Sequence, residues 1–428
     1  MSFQVSPGVE VREIDLTNVV PAVSTSIGAI AGGFRWGPVN EVVRIGSERD
    51  MVNRFFEPDD TTFKYFMPAA QFLQYSNDLR VVRAEQAGML NADQASGTLI
   101  RNEDDYATAT FTPGNHFIAK FPGALGNSLK VWVVSNYHSF RDPAFTALGY
   151  DSLFNTHPGT SDYAAQRNVE DDELHVVVVD EDGLITGTPG EVLEIWEGLS
   201  QASDARANNG ATNYYVNVLN EQSDFIWVAT PDAAFPESGV RTNDTASLQP
   251  ATDGFEYTTS NVALSYDFDN GADGTAEDPT VGELQIAYDL FDDSETLDIN
   301  FLISAPVAAP DDVTLANYLI SIAEQRKDTV AFLSPAVSRT VNNTTATTDV
   351  KDWADSITSS SYGFLDSGAL YVFDKYNDVY RWVNAAGDMA GLCAFTDNVT
   401  DPWFSPAGFN RGQIRGVTKL AFNPRKND

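Results

Sequence analysis

Ile27-Gly28-Ala29-Ile30-Ala31-Gly32 reads as a strand of small apolar residues, and the elements around it decide the fold. The turn Trp36-Gly37-Pro38 follows, then a second strand at Val42 to Ile45. Ser47 with Asp50 three residues on has the spacing of a capping box. Met51, Val52, Phe55 and Phe56 fall on one face of the helix it opens, and Pro58 closes that helix. A second helix is expected from Phe63 to Tyr75, with Phe66, Ala69, Ala70 and Leu73 on one face. Leu79 to Ala84 is the returning strand. Residues 21–87 therefore form a compact α/β unit.

Ahead of this unit, residues 1–20 read as an extended arm. Val9 and Val11 alternate with Glu10 and Arg12, and Ile14 and Leu16 alternate again after a one-residue slip. Behind it, residues 88–112 are polar and look like a small insertion, with Asn91-Ala92-Asp93-Gln94-Ala95-Ser96-Gly97 as their centre. Residues 113–299 carry short β patterns, such as Lys130 to Val134 and Leu174 to Val179, between frequent turn signals. Residues 300–428 return to α/β. Leu297 to Ile303 is a strand, Asp311 and Asp312 suit a helix N-terminus, and Leu315, Tyr318, Leu319 and Ile322 share one helix face. Thr329 to Leu333 is a buried strand. A helix near Val350 to Ile357, a strand at Ala369 to Phe373 and a small-residue helix near Ala385 to Ala394 follow. The fold class is α+β and multidomain: an α/β core built from the N- and C-terminal segments, with a β-rich middle domain inserted.

The chain has 428 residues and a net charge of -35. No basic footprint for nucleic acid exists at that charge, and an anionic membrane surface is disfavoured for the same reason. The charge is uneven. Residues 168–325 hold 32 acidic side chains against Arg206 and Arg241, whereas residues 326–428 hold 11 of each sign. The middle thus reads as a solvent-facing acidic shell, serving solubility or adaptation to a saline host, and the last hundred residues as a surface that packs on partners. No apolar run is long enough to span a bilayer. The start Met1-Ser2-Phe3-Gln4 lacks the features of a signal peptide, so synthesis in the cytoplasm is expected. Cys393, the single cysteine, reads as a buried structural thiol.

Candidate chemistry is sparse. His116, His138, His157 and His175 show no metal-ligand spacing. Asp267-Phe268-Asp269-Asn270-Gly271-Ala272-Asp273-Gly274 is rich in carboxylates but places its glycines out of register for a calcium loop. Pro122-Gly123-Ala124-Leu125-Gly126-Asn127 lacks the third glycine and the lysine of a phosphate loop. No catalytic, cofactor or metal residues are assigned. The most distinctive stretches are Asp374 to Val383 and Trp403 to Gly412. Their Tyr376, Arg381, Trp382, Trp403, Phe409 and Arg411 are residue types that anchor protein interfaces or cores.

At these residues the chain resembles the tail sheath proteins of T4-like contractile-tailed phages. The resemblance rests on Ser6-Pro7-Gly8-Val9-Glu10-Val11, on Ser24 to Gly28 with Phe34-Arg35-Trp36-Gly37-Pro38, and on Phe72 to Tyr75 with Asn77 to Ala84. It continues in Lys375 to Asp378, Arg381-Trp382-Val383, Ala390 to Ala394, Thr396 to Val399 and Ser405 to Gly412. The pieces keep family order and cover about residues 6–88 and 370–422. The resemblance implies a structural, non-enzymatic subunit in the virion tail. It would polymerise helically with itself as six-fold rings around a tail tube protein, between baseplate and tail terminator proteins. In this reading Val5, Val9, Val11, Ile14 and Leu16 form a strand lent to a neighbour, with Val19, Val20 and Pro21 as its hinge. Residues 88–112 correspond to a reduced protruding domain. The chain ends at Asn423 to Asp428, where relatives continue into a further domain, so a partial sequence is expected. The sheath subunit of a bacterial injection machine, and an α/β enzyme using the βαβ unit at 297–333, are the alternatives.

Overall fold

Strand β1 (Gly28–Gly32) lies in the middle of a sheet, and its glycines are there because a helix lies against them. A Cβ on Gly28 would come within 2.6 Å of the Phe72 ring, and one on Gly32 within 2.8 Å of Tyr65. Both aromatic residues belong to one helix, so alternate β1 positions face it. From the other side Tyr288 donates its hydroxyl to the Ile303 carbonyl at 2.6 Å and lies 3.5 Å from that of Ala31. This computed structural model describes residues 26–111, 114–167, 170–230, 262–409 and 411–422. The expected arm residues Val5, Val9, Val11, Ile14 and Leu16, and the expected hinge Val19, Val20 and Pro21, lie outside the described residues.

The N-terminal segment continues as β2 (Val43–Ile45), α1 (Glu48–Phe55), α2 (Phe63–Leu73) and β3 (Leu79–Arg83). Ser47 caps α1 by accepting from the Asp50 amide at 3.1 Å, while the Asp50 carboxylate turns back to the Gly46 amide at 3.0 Å. Phe56 departs from the expected helical face. It takes φ 67°, ends α1, and packs its ring against the core of the middle segment. The middle segment comprises α3 (Glu103–Thr108), β4 (Phe117–Ala119), β5 (Leu129–Val134), α4 (Tyr137–Phe140), α5 (Pro143–Thr146) and α6 (Asp162–Ala165). It goes on through β6 (Glu173–Asp180), β7 (Glu191–Ser200), α7 (Tyr215–Gln222), β8 (Ile226–Val228) and β9 (Leu264–Asp267). The C-terminal segment holds α8 (Val281–Asp289), β10 (Phe301–Ile303), α9 (Asp311–Arg326), β11 (Val330–Leu333), α10 (Ala346–Asp355) and β12 (Gly363–Leu365). It closes with β13 (Ala369–Asp374), β14 (Val379–Asn384), α11 (Ala386–Val399) and β15 (Val417–Leu420). Helix α10 starts and ends earlier than the sequence suggests, and it buries Ala346 and Trp353.

The six-stranded sheet runs β12-β11-β10-β1-β3-β2 and is parallel except at the β2 edge. Gly28 is in register with Phe301 on one side and Leu79 on the other. One hydrophobic core therefore joins residues from both ends of the chain, Ile30, Phe66 and Val81 with Leu302, Leu319 and Ala390 among them. Helices α2 and α11 cover one face; α8 and α9 cover the other.

In the middle, the antiparallel sheet β7-β6-β5-β9 is covered on both faces. Val176 and Val178 enter one cluster with Val131 and Val133, while Val177 and Val179 enter a second with Trp132 and Phe145. A strand buried on both sides has no polar face, which explains the unbroken valine run.

Two motifs singled out from sequence are halves of one junction between these cores. Gly271 donates its amide to the Asn127 side-chain oxygen at 2.7 Å, and Asn127 donates back to the Gly271 carbonyl at 3.0 Å. Asp273 accepts from the Ala124 amide at 3.1 Å, and Asp267 pairs with Lys130 at 2.7 Å. The carboxylates of that loop thus serve separate partners. Beside them the fully buried Arg83 donates to the carbonyls of Pro122 (2.8 Å), Gly37 (3.0 Å) and Arg35 (3.3 Å). Burial lowers its pKa to about 10, against the attraction of Asp273. Residues 88–111 are stitched to the same place: Leu90 bridges Ala272, and Asp93 bridges both Asp269 and Ile118. Asn91 and Asp93 are fully buried and satisfied, for example by Asn91 donating to the Ala119 carbonyl at 2.9 Å and Asp93 accepting from Asn115 at 2.7 Å.

Candidate functional site: an aromatic face on the C-terminal sheet

Strands β13, β14 and β15 form a three-stranded antiparallel sheet, in the order β14-β13-β15, beside α2. Its hairpin is organised by Asp374, whose carboxylate is fully buried. It accepts from the Tyr376 amide (3.0 Å), the Asn377 side chain (2.9 Å) and Arg381 Nε (2.8 Å). An Asp that bonds backbone two residues on is the reason this turn forms. Asp378, at φ 53°, completes it.

The hairpin tip clamps the N-terminal segment. Tyr376 donates its hydroxyl to Glu48 at 3.0 Å, and its ring meets Phe66 edge-on at 5.5 Å. Burial and the Glu48 carboxylate together push the phenol pKa well above its usual value. Lys375 pairs with the same carboxylate at 2.9 Å, and Asn377 donates to the Pro58 carbonyl at 3.0 Å. Arg381 also binds Asp60 and lies 4.3 Å over the Phe63 ring. Tyr376 and Arg381 are therefore intramolecular staples between the two ends of the chain.

Period-two alternation sends the neighbouring aromatics to the opposite face. Tyr371 pairs with Trp382 and Phe373 with Tyr380 across the strands. The rings lie 4.7 Å apart (Tyr371–Trp382), 5.2 Å (Phe373–Tyr380) and 5.4 Å (Tyr371–Tyr380). Lys419 of β15 reaches over this face, 4.4 Å from the Tyr371 ring centre and 5.2 Å from that of Trp382. Phe373 and Tyr380 are 44% and 51% exposed. Trp403 and Phe409 are 77% and 94% exposed in the loop that follows α11, and Arg411 lies 5.0 Å over Phe404. The six anchors named from sequence thus divide. Tyr376 and Arg381 are internal, Trp382 is on the aromatic face, and Trp403, Phe409 and Arg411 belong to the loop. Tyr371, Phe373 and Lys419 were not singled out, although the alternation of Tyr371, Phe373, Tyr380 and Trp382 carried the signal.

Ten of the eighteen large apolar side chains exposed among the described residues lie between Phe364 and Leu420, so the C-terminal segment holds most of the surface suited to contacts. A groove of about 700 Å³ beside the edge strand β12 is walled by Phe332, Trp353, Leu392 and Ile414, with the half-buried Cys393 at its side. Burial, then Asp397, pushes that thiol to about 11, so it is unreactive at neutral pH. A crevice of about 450 Å³ near the ends of β10 and β11 is the place where an α/β enzyme would act. Its Lys64 is held by Asp278 at 2.5 Å, and Tyr65 donates to the same carboxylate at 3.3 Å, an arrangement that ties α2 to the start of α8. Among the described residues no group of three or more His, Cys, Asp or Glu side chains could hold a metal ion, and no helix is long and apolar enough to cross a membrane.

The α/β core is thus assembled from both chain ends, and its C-terminal sheet carries an exposed aromatic face. Residues 25–84 match the family described as tail sheath protein Gp18 domain III, N-terminal region. The chain is 29% identical to the tail sheath protein of Enterobacteria phage T4, over 98% of this chain and 77% of that one. It is 28% identical to the tail sheath protein of Vibrio phage KVP40, over 98% and 78%. A sheath tail protein from Desulfitobacterium hafniense overlaps all of this chain and 68% of its own, at 11% identity and a TM-score of 0.47. Along nearly its whole length the chain is similar to the tail sheath proteins of T4-like phages.

Proposed function

We propose that this protein is the repeating subunit of a contractile tail sheath. Copies stack as six-fold rings, wind helically around a tail tube, meet baseplate and terminator proteins at the two ends, and shorten together to drive the tube through a host envelope. Synthesis is in the host cytoplasm, before assembly into the tail. The observation that carries this reading is the alignment with tail sheath proteins along 98% of the chain. The concentration of exposed aromatic surface in the C-terminal segment supports it, since a lattice subunit must present such surface.

Contraction needs contacts with two settings that never part company. A strand lent by residues 5–16 to a neighbour, swinging about residues 19–21, meets that need because main-chain hydrogen bonds survive rotation at a hinge. The acidic residues 168–325 face outward in this arrangement, where like charges are solvated. Expressed protein viewed by electron microscopy should form rings or striated tubes. Deleting residues 1–17 should leave folded subunits that do not polymerise. Ordinary tubes from that deletion would remove the lent-strand account, and dispersed subunits from the full chain under all conditions would remove the sheath reading.

A further inference from the structure

The aromatic face has a counterpart on the same molecule. Ile286 and Leu290 lie four residues apart at the end of α8, so they project together, and they are 59% and 38% exposed. Asp289 lies between them, Asp292, Asp293 and Glu295 follow, and residues 281–296 contain no lysine or arginine. Arg326 is buried on the carbonyls of Phe291 and Leu297 and adds no exposed positive charge there. The result is an apolar knob in a ring of carboxylates.

The aromatic face is the reverse in charge. Its rings are capped by Lys419, which makes no ion pair among the described residues. Helix α8 covers one face of the six-stranded sheet, and the aromatic sheet packs on the α2 side of the other. Two complementary but different patches on one body join copies head to tail.

We propose that the Ile286/Leu290 knob of one copy seats on the Tyr371, Phe373, Tyr380 and Lys419 face of a second copy. This rests on the sheath reading, because it names a contact of the array that acts beside the lent strand. Both patches are exposed, so changes there leave the fold intact, which thermal melting of each variant checks.

The test uses two full-length variants, Ile286→Ser/Leu290→Ser and Lys419→Glu, followed by sedimentation. Each alone should associate at least about tenfold more weakly than the parent. Mixed in equal amounts they should pair one to one through this contact and so associate more tightly than either alone, since one intact knob and one intact face remain. If either variant assembles like the parent, or the mixture does not pair, the contact is wrong. Parent tubes accompanied by variant tubes sink the contact and leave the sheath reading standing. A parent that forms no rings or tubes, with a mixture that still pairs, does the reverse.

Discussion

Replacing Gly387 by alanine tests how closely α2 and α11 pack. A Cβ at Gly387 would lie 2.1 Å from the Pro68 carbonyl oxygen, 2.8 Å from its carbon and 2.9 Å from its Cα. All three atoms are backbone, so no side-chain rotation relieves the clash, and the helices must separate by about 1 Å to restore ordinary contact. Overpacking of this kind costs about 3 kcal/mol, offset by about 1 kcal/mol from the better helix propensity of alanine. The net loss is about 2 kcal/mol, which lowers Tm by roughly 4–8 °C for a cooperative unit of 150–250 residues. Gly282→Ala is the control. Gly282 lies in α8 with nothing within 4 Å of its would-be Cβ, so that change should be neutral or raise Tm. Calorimetry or circular dichroism on both variants decides the matter. A Gly387→Ala protein that melts at or above the parent temperature would show that the two helices are not in the contact described.

Asp388, fully buried on α11, holds its carboxyl at about 7, by burial first and foremost. The folded state keeps a proton that the unfolded chain loses near pH 4, so stability should fall as pH rises from about 4 to 7 and level off above. Asp388→Asn should match the parent near pH 4 and exceed it by up to about 4 kcal/mol at pH 8 in denaturant titrations; an unchanged difference across that window counts against the burial described. Arg83→Met strips two buried carbonyls and a part-buried one of their donor and should cost about 3 kcal/mol or more in urea unfolding, with a loss below 1 kcal/mol counting against the junction. Asp374→Ala removes the hub of the hairpin and leaves Arg381 with only the exposed Asp60, so a loss of about 3 kcal/mol is expected, while a thermal melt within a degree of the parent would contradict that role.

The sequence by itself determined the local elements and the likeness to tail sheath proteins. Strand β1 was legible as small apolar residues, α1 from the Ser47 cap, and the βαβ of β10, α9 and β11 from its periodicity, because these depend on propensity and spacing within a few residues. The charge division between the middle and the C-terminal segment was likewise a matter of counting. Tertiary structure alone decided what depends on partners far apart in the chain. The pairing of β1 with β10 places the two ends of the chain in one sheet, and nothing local to either strand states its neighbour. The glycine loop at Gly123 and the acidic loop at Gly271 looked like separate candidates for chemistry, yet they are each other's hydrogen-bond partners. Tyr376 and Trp382 are alike as sequence, six residues apart, but the turn places one against Glu48 of α1 while strand alternation places the other on the aromatic face. Burial is a property of what arrives from elsewhere, and the exposed aromatic face became recognisable only once the rest of the chain had been placed around it.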